Sequence, residues 1–166
     1  MIPFPCRLVR LLGPLLACLA SPVHGDDPEA WRPLLLDQAA SVQQIHGTAA
    51  QNRSYSGNPL VVNGVTYPRG IGSHAPSEIV FALDGKHKQF AAQVGMDDNG
   101  GPTASAQFSV LLDGREAFAS GPMRYHDAAK PVALDVTGVK ELRLVTADIG
   151  DGPQGDHADW IDPAGG

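Results

Sequence analysis

The sequence predicts an all-β domain, an antiparallel β-sandwich or jelly roll. Three observations lead there. Short apolar segments alternate with a period of two, they recur every ten to fourteen residues, and Gly-containing turns separate them. Nineteen Gly and fourteen Pro fit many tight turns, and no amphipathic stretch is long enough for more than a couple of helical turns. Hydrophobic residues make up 43% of 166 residues, enough for one core in one domain with an N-terminal extension.

Residues 26–41 read as a linker, in which Ala30 to Leu36 forms a short strand or one turn of helix. Ser41 to Ile45 is a strand entering the domain, which spans 42–166, and Gly47 ends it. Leu60-Val61-Val62 and Val65-Thr66-Tyr67 form a hairpin, because Asn63-Gly64 supplies the positive φ angles of a two-residue turn. A Gly-rich loop runs from Arg69 to Ala75. Ile79, Phe81 and Leu83 then alternate with Val80 and Ala82, and Asp84-Gly85 turns the chain back into Phe90, Ala92, Val94 and Met96. Phe108, Val110 and Leu112 mark the next strand, turned by Asp113-Gly114 into Glu116 to Ser120. A loop from Gly121 to Lys130 precedes a strand through Val132, Leu134 and Val136. Thr137-Gly138 then leads into Leu142 and Leu144.

Residues 1–25 read as a secretory signal. Arg7 and Arg10 give a positive start, Leu11 to Ala17 a short apolar core, and Val23-His24-Gly25 a cleavage site. The core is too short to span a bilayer. Leu15-Leu16-Ala17-Cys18 also has the form of a lipobox, which would make Cys18 a lipid anchor. Secreted, periplasmic and cell-surface locations all follow from such a leader. Cys6 and Cys18 both lie within it, so the remainder has no disulfide or thiolate chemistry. Without the leader's two arginines the formal charge moves from −6 to −8, and no basic stripe offsets it. Nucleic acid and anionic lipid are therefore poor partners, and a neutral ligand is favoured.

Two polar clusters stand out: Gly70-Ile71-Gly72-Ser73-His74-Ala75, and, some eighty residues later, Asp156-His157-Ala158-Asp159-Trp160. The expectation is that they converge at one rim of the sandwich. Together with Asn58-Pro59-Leu60, the Gly95-Met96-Asp97-Asp98 loop and Val136-Thr137-Gly138, they make residues 42–162 resemble the NPCBM family. That family of carbohydrate-binding modules accompanies glycoside hydrolases of family 98 type and is related to carbohydrate-binding module family 51. The resemblance implies a galactose-binding-like sandwich, a galactoside or other glycan as partner, and, from related modules, a structural calcium. In the family the chain runs past the Trp into a final apolar strand. Here Ile161-Asp162-Pro163-Ala164-Gly165-Gly166 follows, so an altered or missing closing strand is expected.

A sugar site needs an aromatic face for the pyranose ring and rigid polar groups for its hydroxyls. Trp160 and Tyr67 are the candidates for the first, and His74, Asp156, His157 and Asp159 for the second. The bland alternatives are a Trp160 buried between sheets and histidines that only bond backbone. For calcium, Asp97 and Asp98 offer clustered oxygens, although such residues also cap turns. Zinc is disfavoured by the lack of cysteine and of closely spaced histidines. An enzyme is disfavoured too. Ser73 and His74 are adjacent on an extended chain and point to opposite sides, and no nucleophile elbow or phosphate cradle is present. Asp97 with Asp156 as a glycosidase pair, and a structural or protein-interaction domain of the envelope, are the rival readings.

Overall fold

The computed structural model describes residues 30–166. The leader, with Cys6 and Cys18, lies outside them. The strands are β1 (Arg32–Pro33), β2 (Ser41–Gln44), β3 (Ala50–Gln51), β4 (Leu60–Val62), β5 (Val65–Tyr67), β6 (Gly70–His74) and β7 (Ser77–Ala82), followed by β8 (Gln89–Met96), β9 (Ser105–Leu112), β10 (Arg115–Arg124), β11 (Lys130–Asp135), β12 (Glu141–Ala147) and β13 (His157–Gly165). Among the described residues the only helical elements are single 3-10 turns at Leu36–Gln38 and Asp98–Gly100. One sheet runs β11-β8-β13-β6-β3, with β1 on the last residues of β13, a second runs β10-β9-β12-β7-β2, and β4 and β5 form a separate two-stranded hairpin. Every pairing is antiparallel.

The core fills the space between the sheets, where the inward residues predicted from alternation meet. Ile79, Phe81, Phe90, Val94, Met96, Phe108, Val110, Leu142 and Leu144 are all buried. Trp160 lies among them, fully buried, its ring edge-on to Phe108 with centroids 5.4 Å apart. The Trp160 Nε1 donates to Thr146 Oγ1 at 3.3 Å, so burial leaves its one donor satisfied.

Four expectations are corrected. Residues 32–40 are part of the fold and not a linker: β1 pairs with β13, and Leu34 is buried in the core. The turn at Asp84-Gly85 does not make a hairpin, because β7 and β8 belong to opposite sheets; the passage from β11 to β12 also changes sheet. Strand β10 continues past Gly121 to Arg124, with register shifts absorbed between Ala119 and Pro122. Finally, residues past Trp160 complete β13, which pairs with both β6 and β8 at the centre of its sheet.

The outer face of this sheet is unusual. Along β6, β13 and β8, Gly72, Asp159 and Gly95 form one cross-strand row. Residues 53–62 lie over that row as a strap. A Cβ on Gly72 would collide with the Arg53 carbonyl oxygen and the Ser54 backbone, and one on Gly95 would meet Val62 Cγ1 at 2.5 Å. The strap is tied down by the amide of Val61 donating to Asp97 Oδ2 at 3.0 Å, and by those of Asn63 and Gly64 donating to Asp98 at 3.1 and 2.8 Å. Gly72→Ala therefore has no room without lifting the strap. It should destabilise the domain by about 1–3 kcal/mol, read from urea melts of the two proteins.

Candidate functional site

The pairing of β6 with β13 sets His157 directly opposite His74, with the two ring centroids 5.5 Å apart. Both project from the outer face at the end of the sheet where the strap begins. Tyr55, on the strap, closes over them: its ring lies 4.7 Å from that of His74 and 4.8 Å from that of His157, edge to face in both cases. His46 completes the group, 5.1 Å from His74.

Local chemistry fixes each ring. The Gln44 side chain accepts from the His74 amide at 3.0 Å and donates to the His46 carbonyl at 2.6 Å, which ties the end of β2 to β6. Tyr55 sits in a turn closed by Ser54 N to Asn58 O at 2.8 Å and Gly57 N to Ser54 O at 2.9 Å. Gly47, at φ +57°, must lack a side chain because the Tyr55 ring would lie 2.6 Å from its Cβ. His74 Nδ1 lies 2.7 Å from the carbonyl oxygen of Ala75. A carbonyl can only accept, so Nδ1 carries a proton, and in the neutral tautomer the lone pair is left on Nε2. His157 has a buried Nδ1 with no partner, and burial followed by the neighbouring His74 pushes its pKa down.

Asp156 lies at the same rim. Its carbonyl accepts from Ala75 N at 3.0 Å, and its Oδ1 accepts from Ser105 N at 3.0 Å. Its Oδ2 is buried with no partner, and burial raises its pKa. His74, His157 and Asp156 are thus brought together as the two motifs suggested. Three other sugar candidates are not. Trp160 alternates inward along β13 and is wholly core, so it offers no face to a ligand. Asp159 points outward but is fully covered by the strap. Tyr67 pairs with Leu60, which packs on Gly70, the end of β6 remote from His74.

The proposed cation ligands separate in a similar way. Asp98 uses its two oxygens to hold the strap amides, one of them also 4.0 Å from His126. Asp97 is buried and accepts from Val61 N, Asn99 N and the Asn99 side chain. Its neighbour is Asp159, neither of whose oxygens has a donor, and whose pKa is raised well above the ordinary carboxylate value by burial and then by Asp97. Sequence reading missed Tyr55 and His46. The signals that could have found them are a lone aromatic among small turn residues, Ser54-Tyr55-Ser56-Gly57, and a glycine immediately after His46.

The sequence matches the NPCBM/NEW2 domain over residues 34–164. The chain belongs to this family. As an NPCBM domain it falls among the carbohydrate-binding modules, which are non-catalytic. It is similar to the CBM51 of a Clostridium perfringens GH95 protein in complex with methyl-galactose, at 32% identity and a TM-score of 0.77 over 82% of this chain and 100% of that one. It is also similar to the CBM51-2 of Clostridium perfringens ZmpB in complex with GlcNAc, at 31% identity and a TM-score of 0.75, over 80% of this chain and 31% of that one. A putative endo-alpha-N-acetylgalactosaminidase of Renibacterium salmoninarum is 34% identical over 136 residues, which is 82% of this chain but only 8% of that protein. Among the described residues no helix is long and apolar enough to cross a membrane.

The depressed His157 pKa sets a pH dependence for the NPCBM domain. The unfolded chain takes up a proton near pH 6.5 that the folded domain resists, so the His157 titration is neutral to the fold above that pH and opposes it below. Between pH 7.5 and 5.5 the wild type should lose melting temperature relative to His157→Gln, read from paired thermal-melt series of the two proteins.

Proposed function

We propose that the rim carrying His46, Tyr55, His74 and His157 binds a neutral glycan of galactoside type. The observation that carries this reading is the cross-strand His74–His157 pair capped by Tyr55. It supplies ring faces and edges beside a free imidazole acceptor, on rigid strands, which is what sugar hydroxyls and the apolar face of a pyranose require. Tyr55 takes the part assigned to Trp160 from sequence. The ligands bound to the two similar Clostridium modules, methyl-galactose and GlcNAc, support the same class. A formal charge of −6 favours a neutral sugar over an acidic one. A glycan array on residues 26–166 should return galactose- or N-acetylhexosamine-bearing glycans, and Tyr55→Ala should weaken the strongest of them by about tenfold while the melt stays cooperative. Absence of binding to every glycan on the array would sink the reading.

Calcium is part of the same proposal. Asp97 and Asp159 are two buried carboxylates in contact, and such a pair needs either a shared proton or a cation between them. The orphaned Asp159 oxygens fit the cation, and the pair would hold it beneath the strap, bracing the strap's hold on the sheet. Among the described residues no three ionisable ligand side chains gather closely enough to hold a metal alone, so backbone and amide oxygens would complete the set. Chelator should lower the melting temperature of the wild type and leave Asp159→Asn unchanged. Equal melting of the wild type with calcium and with chelator would remove the ion.

We further infer that the domain works outside the cytoplasm, free or through a lipid on Cys18, in keeping with its leader-like residues 1–25. A shallow site of this kind gains most when several copies, or a joined catalytic unit, engage one glycan surface.

A further inference from the structure

A hollow of about 320 Å³ opens at the loop that leads into His157, and contains Thr103, Ala104, Arg124, Asp151, Gly152 and Gln154. We propose that this hollow is a second sugar subsite, so that the rim takes a glycan of at least two residues, the second held by two adjacent hydroxyls between the Arg124 guanidinium and the Asp151 carboxylate. The proposal rests on the glycan reading above and extends it from a sugar class to a ligand length.

The walls of the hollow are preset. Gly155 and Gly100 meet so closely, backbone to backbone, that a Cβ on either would collide with the other's carbonyl oxygen. That contact clamps the loop after β12 onto the loop before β9, and Thr103 Oγ1 donating to the Gln154 carbonyl at 3.2 Å adds a second tie. Asp151 is oriented by Ser105 Oγ, which lies 2.8 and 2.9 Å from its two oxygens. The same hydroxyl, first among the causes, holds the Asp151 pKa low, so the group is an ionised acceptor. Arg124 stands 3.5 Å from it, both partners substantially exposed. An open pair of this kind contributes little to stability, so parting it to admit hydroxyls costs little. Carboxylate and guanidinium then complement a pair of neighbouring hydroxyls, the first accepting their protons and the second donating to their oxygens.

The connection to the imidazole group is short. Ser105, which orients Asp151, also donates its amide to Asp156, and the Asp156 carbonyl accepts from Ala75, next to His74. Three residues, Ser105, Asp156 and Ala75, therefore link the hollow to the imidazole group. The Asp156 carboxylate, with its buried and unpartnered Oδ2, feels the charge of both His74 and Asp151. A metal ion is the poorer fit here, since Arg124 already places a positive charge on Asp151, and the surrounding Asp148, Asp151 and Asp156 would repel an acidic sugar.

The test is calorimetric titration of the full-length protein and of Arg124→Gln and Asp151→Asn with methyl galactoside, N-acetylglucosamine, lactose and N-acetyllactosamine. A disaccharide should bind the wild type more tightly than its parent monosaccharide, and each variant should lose about tenfold for the disaccharide with monosaccharide binding unchanged. Arg124→Gln replaces an exposed side chain and keeps the fold even if Asp151→Asn does not. Wild-type disaccharide affinity in a folded Arg124→Gln overturns the second subsite and leaves the glycan reading standing. Failure of the wild type to bind any of the four sugars instead removes both.

Discussion

The antiparallel register between β6 and β13 is the constraint on which both core and rim depend. It places Trp160 and Ile71 on one face of the sheet and His74, Gly72, Asp159 and His157 on the other. A slip of one residue would turn the indole to solvent and the imidazoles into the core. Because Trp160 and Ile71 are fully buried, such a slip would expose two of the larger apolar side chains of the domain, and register is therefore strongly held. The residues that anchor the sandwich thus aim the histidines.

The outer face shows how a strand surface without bulk becomes part of the proposed binding rim. Glycines at Gly72 and Gly95 let the strap of residues 53–62 come down to backbone contact, and the strap delivers Tyr55 to the imidazoles. The cost is a buried carboxylate: Asp159 lies between those glycines, against Asp97, with no donor to either oxygen. Residues that grip the strap from below, Asp97 and Asp98, lie immediately beside this strained electrostatic arrangement. Strap, acid pair and rim therefore form one mechanical unit.

Electrostatics divides the rim into two kinds of surface. On one side are imidazoles, with His157 held towards its neutral form by burial and by His74. On the other are an ionised Asp151 and the Arg124 it faces, both accessible to solvent. Asp156 joins them without being exposed. Under the proposed function, aromatic rings beside a charged pair suit a polyol with one apolar face better than an ion of either sign.

Alternation and turn chemistry made the all-β class, the Asn63-Gly64 hairpin and the core positions from Ile79 to Leu144 legible in the chain itself. These depend on residues two apart or adjacent. The two histidine motifs and their likeness to NPCBM modules were legible for the same local reason. What alternation cannot state is which strand lies alongside which, or which face is the core. Hence β7 and β8, consecutive and turned by Asp84-Gly85, went to different sheets, and Trp160 proved to be core and not a platform. Tyr55 and His46 entered the rim, Tyr67 left it, and Asp159 became one of a buried acid pair. Only the tertiary structure could decide these points, because each depends on contacts between segments distant in sequence that no local periodicity encodes.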